Sequence, residues 1–230
     1  MFARHSLVWL TDAGWLQAER DVEAPDRDAI QRWHRHDWPA VARRGEVAGE
    51  VGHAATHALL GVALPPHSED GMKRRIPLRI ACAEVKRTAR PLRLESVIPH
   101  APVHWRQKLI ALDHAAQQLG ICFLSYGSLA WQALTGQRYL SATSDIDLLF
   151  FPANLAQLRQ GVALLGNSSP DLPLDGEIVF KGGQAVAWKE WRSCMDSPHP
   201  AHVLVKEIHG IRLCSAAALL ATLESSPCMT

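Results

Sequence analysis

Asp145 and Asp147, separated by one residue in "SDIDLLF", stand where an apolar run begins. On an extended strand, residues two apart project to one face, so the carboxylates lie side by side while Ile146 enters the opposite face. Charges that close raise one another's pKa unless a shared cation neutralises them. Oxygen-only ligands suit a hard divalent ion, Mg²⁺ or Mn²⁺, better than zinc, and Mg²⁺ keeps positions open for substrate phosphates. Just upstream, "YGSLAWQALTG" adds Gly127 and Ser128. Glycine lets backbone approach a phosphate closely, and a serine at a helix start offers its hydroxyl and amide groups to an anion.

These residues need strands and helices to hold them. "WRQKLIALDHAAQQLG" carries Leu109, Leu112, Ala116 and Leu119 at helical spacing and ends on Gly120, a C-cap residue. "ICFLSY" reads as a buried strand, "SLAWQALTG" as a short helix stopped by Gly136, and "DIDLLFF" as a second strand. "PANLAQLRQGVALLG" gives a further helix with Pro152 near its start. "DGEIVFKGGQAVAWKEW" reads as a hairpin around Gly182 and Gly183, and "HVLVKEIHGIRLC" as another turning at His209 and Gly210. "SAAALLATLE" closes as a helix with Ser215 at its N-cap. Toward the amino terminus, "HSLVWL" reads as a strand, "DRDAIQRWHRH" as a helix, "PPHSEDGM" as a loop and "KRRIPLRIACAEV" as a strand opening with three cations. The prolines of "ESVIPHAPVHWRQ" place a boundary near residue 100, giving domains 1–100 and 101–230.

Composition narrows the field. With 230 residues, 47% of them hydrophobic, the chain can bury a substantial core. Twenty-four Lys and Arg against 23 Asp and Glu leave no general attraction to nucleic acid or an anionic membrane. The five cysteines are scattered without a CxxC pair, which argues against a disulfide framework or zinc knuckle and for a reducing cytoplasm. "MFARHSLVWLTDAGWL" is broken by Arg4, His5 and Asp12 and does not read as a signal peptide. No apolar run approaches the roughly 20 residues that span a bilayer.

Gly127-Ser128, a helix, then Asp145-x-Asp147 resembles the signature of the nucleotidyltransferase superfamily related to polymerase β. The resemblance implies an α+β fold: a nucleotidyltransferase-like mixed sheet with flanking helices, behind a smaller strand-containing N-terminal domain. It also implies a third acid on a later strand. "DGEIVF" offers Asp175 and Glu177; Glu177 is favoured because apolar strand residues follow it directly, and Asp175 stays open. "RHSLVWL", "GMKRRIPLRI", "YGSLAWQALTG", "SDIDLLF", "LDGEIVF" followed by "AVAWKEW", and "VLVKEIHGIRL" together resemble the malonate decarboxylase holo-acyl-carrier-protein synthases, the phosphoribosyl-dephospho-CoA transferases, over nearly the whole chain. "EVAGEVGHAATHALLGVAL" is the least family-like stretch.

Such enzymes transfer a phosphoribosyl-dephospho-CoA group from triphosphoribosyl-dephospho-CoA to a serine of an apo acyl carrier subunit, releasing diphosphate. The resemblance implies displacement at the α-phosphorus with Asp145, Asp147 and Glu177 (or Asp175) holding Mg²⁺ or Mn²⁺, and Gly127 and Ser128 cradling the triphosphate. Lys73, Arg74 and Arg75 would pair with substrate phosphates or with acidic residues of the carrier.

Plainer readings stand beside these. A lone DxD more often decorates a solvated strand end, Gly-Ser is an ordinary helix start, and "KRR" is more often a solvated charge run. His53 and His57 have a helical zinc spacing but lack the metalloprotease glutamate between them. "SYGSLA" lacks the G-x-S-x-G order of a nucleophile elbow. Trp131 fits a core position, and Lys189 and Lys206 sit near the acids with exposure slightly favoured over phosphate contact. Competing functions are adenylyl transfer to a small molecule, tRNA or protein, and a non-catalytic adaptor that docks an acyl carrier. The carrier itself could be that of malonate decarboxylase or of a citrate-lyase-like system.

Overall fold

In the computed structural model, which describes residues 2–43, 56–66, 72–197 and 202–224, the chain folds as two α+β units. The first comprises Met1–Pro91, Leu134–Ser141 and Ile208–Gly210; the second comprises the remainder. The chain passes between units at Pro91 and Leu92, ahead of the boundary read near residue 100. The proline-bearing 94–100 segment packs on the long helix that follows it and so belongs to the second unit.

In the first unit β1 (Leu7–Leu10), β2 (Ala40–Ala42), β3 (His57–Ala63), β4 (Arg75–Ala81) and β5 (Val85–Ala89) form an antiparallel sheet ordered β4-β3-β2-β1-β5. Helix α1 (Asp12–Asp21) starts at Thr11, whose Oγ1 accepts from Gly14 N at 3.1 Å; α2 (Ala24–Arg35) follows. On β4, Ile76, Leu78 and Ile80 turn inward while Arg75, Pro77 and Arg79 face out, a period of two with one covered face. Helix α1 packs against β4, and Trp15, Ile30 and Trp33 fill the core. Pro77 is tolerated because β4 is an edge strand. Tyr139, counted with this unit, donates its hydroxyl to the Ala63 carbonyl at 2.7 Å, and burial pushes its pKa well above the ordinary phenol range.

Two readings change here. The "KRR" run does not open one long strand: Lys73 and Arg74 precede β4, residues 82–84 turn as a 3-10 helix, and Val85 starts β5 beside β1. His57 begins β3 instead of lying on a helix, so it cannot supply one half of a helical pair; His53 lies outside the described residues. Residues 67–71 of the "PPHSEDGM" loop also lie outside them.

The second unit contains β6 (Leu92–Arg93), α3 (Leu94–Val97), α4 (Val103–Gln118), β7 (Leu124–Tyr126), α5 (Gly127–Thr135), β8 (Ile146–Phe150), α6 (Leu155–Ser168), β9 (Leu174–Val179), β10 (Ala185–Ala187), α7 (Trp188–Met195), β11 (His202–Lys206), β12 (Ile211–Ser215) and α8 (Ala216–Glu224). The final two residues of α5 are counted with the first unit. The sheet runs β12-β11-β10-β9-β8-β7-β6, antiparallel except for β8 and β9, which are parallel and joined through α6. This is the mixed sheet with flanking helices expected. Helix α6 is capped by Asn154, which stands two residues after Pro152 and whose side chain accepts from Gln157 N at 2.9 Å. The second arm of the first hairpin is shorter than read: β10 stops at Ala187, because Trp188, Trp191 and Cys194 recur at helical spacing and are buried as α7. Among the described residues no helix is long and apolar enough to cross a membrane.

Candidate active site

Sheet register determines which acids meet. Along β8 the even-numbered residues Ile146, Leu148 and Phe150 are buried, and the Phe150 ring contacts Phe123 and lies against Gly161 of α6. The opposite face carries Asp147 and Leu149. There Tyr126, Asp147 and Asp175 are register partners on β7, β8 and β9 and make one cross-strand row. The next row is Leu124, Leu149, Glu177 and Ala187. Asp145 precedes β8 by one residue and is exposed; Asp147 and Asp175 are half-buried. Register therefore puts Asp175 beside Asp147, whereas Glu177, favoured in the sequence reading, lies one row further along.

The Gly-Ser turn closes on the same row. Gly127 has φ +67°, and a Cβ built on it would sit 1.9 Å from Asp147 Oδ2, so the carboxylate occupies the space that a side chain would fill. Helix α5 begins at this residue, with Ser128 buried in its first turn, so amides that lack an intrahelical partner start beside the carboxylate row. Gly176, between the two β9 acids, lets the strands close up: a Cβ there would land 1.9 Å from the Leu148 carbonyl oxygen.

Two lysines complete the arrangement, each with a different acid. Lys206 Nζ lies 3.0 Å from Glu177 Oε1, reaching across β10, and the glutamate side chain is only 5% exposed. The lysine side chain keeps about a third of its surface in solvent (34%), so removing it costs at the low end of the buried-pair range, about 3 kcal/mol. Lys189 Nζ lies 3.6 Å from Asp175 Oδ1, both side chains being about half exposed (56% and 45%). A solvated pair of that kind contributes about 0.2–1 kcal/mol. Lys206 is thus a structural counter-ion and not the exposed lysine expected. Trp131 is buried, as its spacing suggests.

Lys73, Arg74 and Arg75 are exposed in the first unit, where Arg74 pairs with Asp26. Tyr126 went unread as a member of the carboxylate row, since its signal is cross-strand register, which no single stretch of sequence displays. Among the described residues no three His, Cys, Asp or Glu side chains converge into a ready-made metal cluster. The fit to a hard divalent ion rests on the donor set, carboxylate oxygens on one row, and on the cleared backbone at Gly127.

A carboxylate row beside a glycine-led helix start holds the donor types that chemistry on phosphate esters uses. Comparison with known proteins gives the family. Residues 3–91 match the phosphoribosyl-dephospho-CoA transferase MdcG N-terminal domain and residues 93–217 the corresponding C-terminal domain. A phosphoribosyl-dephospho-CoA transferase of Bradyrhizobium diazoefficiens is 36% identical over 81% of this chain and 80% of its own length. Those of Xanthomonas euvesicatoria pv. vesicatoria and Xanthomonas axonopodis pv. citri are each 36% identical over 95% of this chain and 97% of their own. The chain belongs to the phosphoribosyl-dephospho-CoA transferase family and is an enzyme of that transferase class. No solved structure matches it.

Proposed function

We propose that this enzyme moves the phosphoribosyl-dephospho-CoA group of triphosphoribosyl-dephospho-CoA onto a serine of an apo acyl carrier subunit, that of malonate decarboxylase. The serine oxygen bonds to the α-phosphorus, the bond from that phosphorus to the oxygen bridging to the β-phosphate breaks, and diphosphate leaves with the electron pair. The observation that carries the reading is the match to both family domains, with the Tyr126–Asp147–Asp175 row and Gly127 lying within the matched C-terminal part.

Asp145, Asp147 and Asp175 would hold one or two Mg²⁺ or Mn²⁺ ions. Asp175 is preferred to Glu177 because register sets it beside Asp147, and because Glu177 is engaged by Lys206. Bound there, a divalent ion would acidify the incoming hydroxyl and stabilise charge on the departing phosphates. Gly127, Ser128 and the first amides of α5 would cradle the triphosphate. Asp175 would accept the serine proton or pass it to water.

Mass spectrometry of purified apo carrier, incubated with enzyme, Mg²⁺ and triphosphoribosyl-dephospho-CoA, tests the proposal. The expected result is addition of one phosphoribosyl-dephospho-CoA group, lost in Asp147→Asn. A carrier mass that rises with ATP instead would indicate adenylyl transfer, and an unmodified carrier that binds tightly would indicate an adaptor.

A further inference from the structure

The acids of β9 are matched to two cations of unequal permanence. Glu177 lies within a row of Leu124, Leu149 and Ala187, and Lys206 reaches it at 3.0 Å from beyond β10. Asp175, one row away, meets Lys189 at 3.6 Å with both partners in water. Lys189 lies two residues past the end of β10, whose last residue Ala187 is opposite Glu177, and its side chain reaches Asp175 from the start of α7. Lys189 also stands in the first turn of α7, where the positive end of the helix dipole opposes a cation. A lysine there gains nothing from the helix dipole; its ammonium is placed instead by Asp175 and by the Trp188 ring, whose centroid is 5.8 Å away.

We infer that Lys189 is an exchangeable counter-ion: it holds Asp175 while the carboxylate row lacks a divalent ion, and turns to the phosphates of the triphosphate substrate when the ion takes Asp175. Lys206 stays with Glu177 throughout, which withdraws Glu177 from the ion. The exchange is feasible because the pair being broken is solvated and the one being formed is a charge-assisted contact to phosphate. Lys189 therefore lowers the affinity of the empty site for a cation and raises that of the loaded site for substrate. This inference rests on the metal-dependent reading above, and deepens it by naming a phosphate-binding residue.

Mn²⁺ binding to the full-length protein without substrate, followed by electron paramagnetic resonance, separates the two. Lys189→Met should bind Mn²⁺ about threefold more tightly than wild type, the order set by loss of an exposed ion pair. In carrier-modification kinetics the same variant should raise KM for the triphosphate substrate about tenfold, with Lys189→Arg restoring most of it. If Lys189→Met leaves both quantities unchanged while Asp147→Asn and Asp175→Asn abolish Mn²⁺ binding, the exchange is wrong and the metal reading stands. If Asp147→Asn and Asp175→Asn bind Mn²⁺ like wild type, the metal reading itself falls.

Discussion

An alanine at Gly127 would place its Cβ 1.9 Å from Oδ2 and 2.7 Å from Cγ of Asp147, at a backbone φ of +67°. The conformation alone costs an L side chain about 1–2 kcal/mol, and the clash must be relieved by moving the carboxylate or the turn. Either movement misaligns the row against the start of α5, and displacements of about 1 Å at a reacting centre cost on the order of 100-fold in rate. Gly127→Ala is therefore expected to fold, as judged by circular dichroism, while carrier modification slows at least 100-fold. Wild-type turnover in this variant would show that Asp147 does not have to lie against that backbone. That Gly127 and Asp147 belong together is legible in the sequence as types and spacing, since period two on a strand and a glycine before a helix are local properties. Their contact is not, because 19 positions of intervening chain contain no marker of where the helix returns to the sheet.

At the scale of the element, β9 shows where sequence reading runs out. Asp175 and Glu177 have the same parity and equivalent neighbours in "LDGEIVF", so choosing between them takes the register of β9 on β8. That register is set by the path of α6 and by Gly176, whose missing Cβ lets the strands close, and apolar residues following Glu177 speak to burial and not to metal binding. Likewise α7 shows in the spacing of Trp188, Trp191 and Cys194, while the short arm of β10 reads as part of a longer hairpin strand until those tryptophans are counted on a helical period. The Lys206 contact joins residues on β11 and β9 with β10 between, a relation visible only once three strands are in register. Lys206→Met would leave a buried carboxylate without its cation, so a loss of about 3 kcal/mol is expected. For a protein of this size that lowers Tm by roughly 6–12 °C in a calorimetric scan. The paired variant Lys206→Met/Glu177→Gln should recover most of the loss, because an apolar and a neutral polar group replace two charges. A Tm unchanged in the single variant would mean that the glutamate is solvated in solution.

For the whole molecule, the near balance of 24 basic and 23 acidic residues means that no overall field draws in an anionic partner, so any attraction must come from local clusters. The carboxylate row lies in the second family-matched domain, and the first presents Lys73, Arg74 and Arg75 in water at the start of an edge strand. Arg74 is already held by Asp26, which leaves Lys73 and Arg75 as the pair to test. If these two recognise acidic residues of the carrier, Lys73→Ala/Arg75→Ala raises KM for the carrier severalfold at low ionic strength and leaves KM for triphosphoribosyl-dephospho-CoA as it was. The difference should fade with added salt, since the screening length falls from about 10 Å at 0.1 M to about 3 Å at 1 M. A rise in KM for the triphosphate alone would instead give the two side chains to substrate phosphates. No change in either constant at low salt would return the cluster to the solvated charge run that its composition also allows.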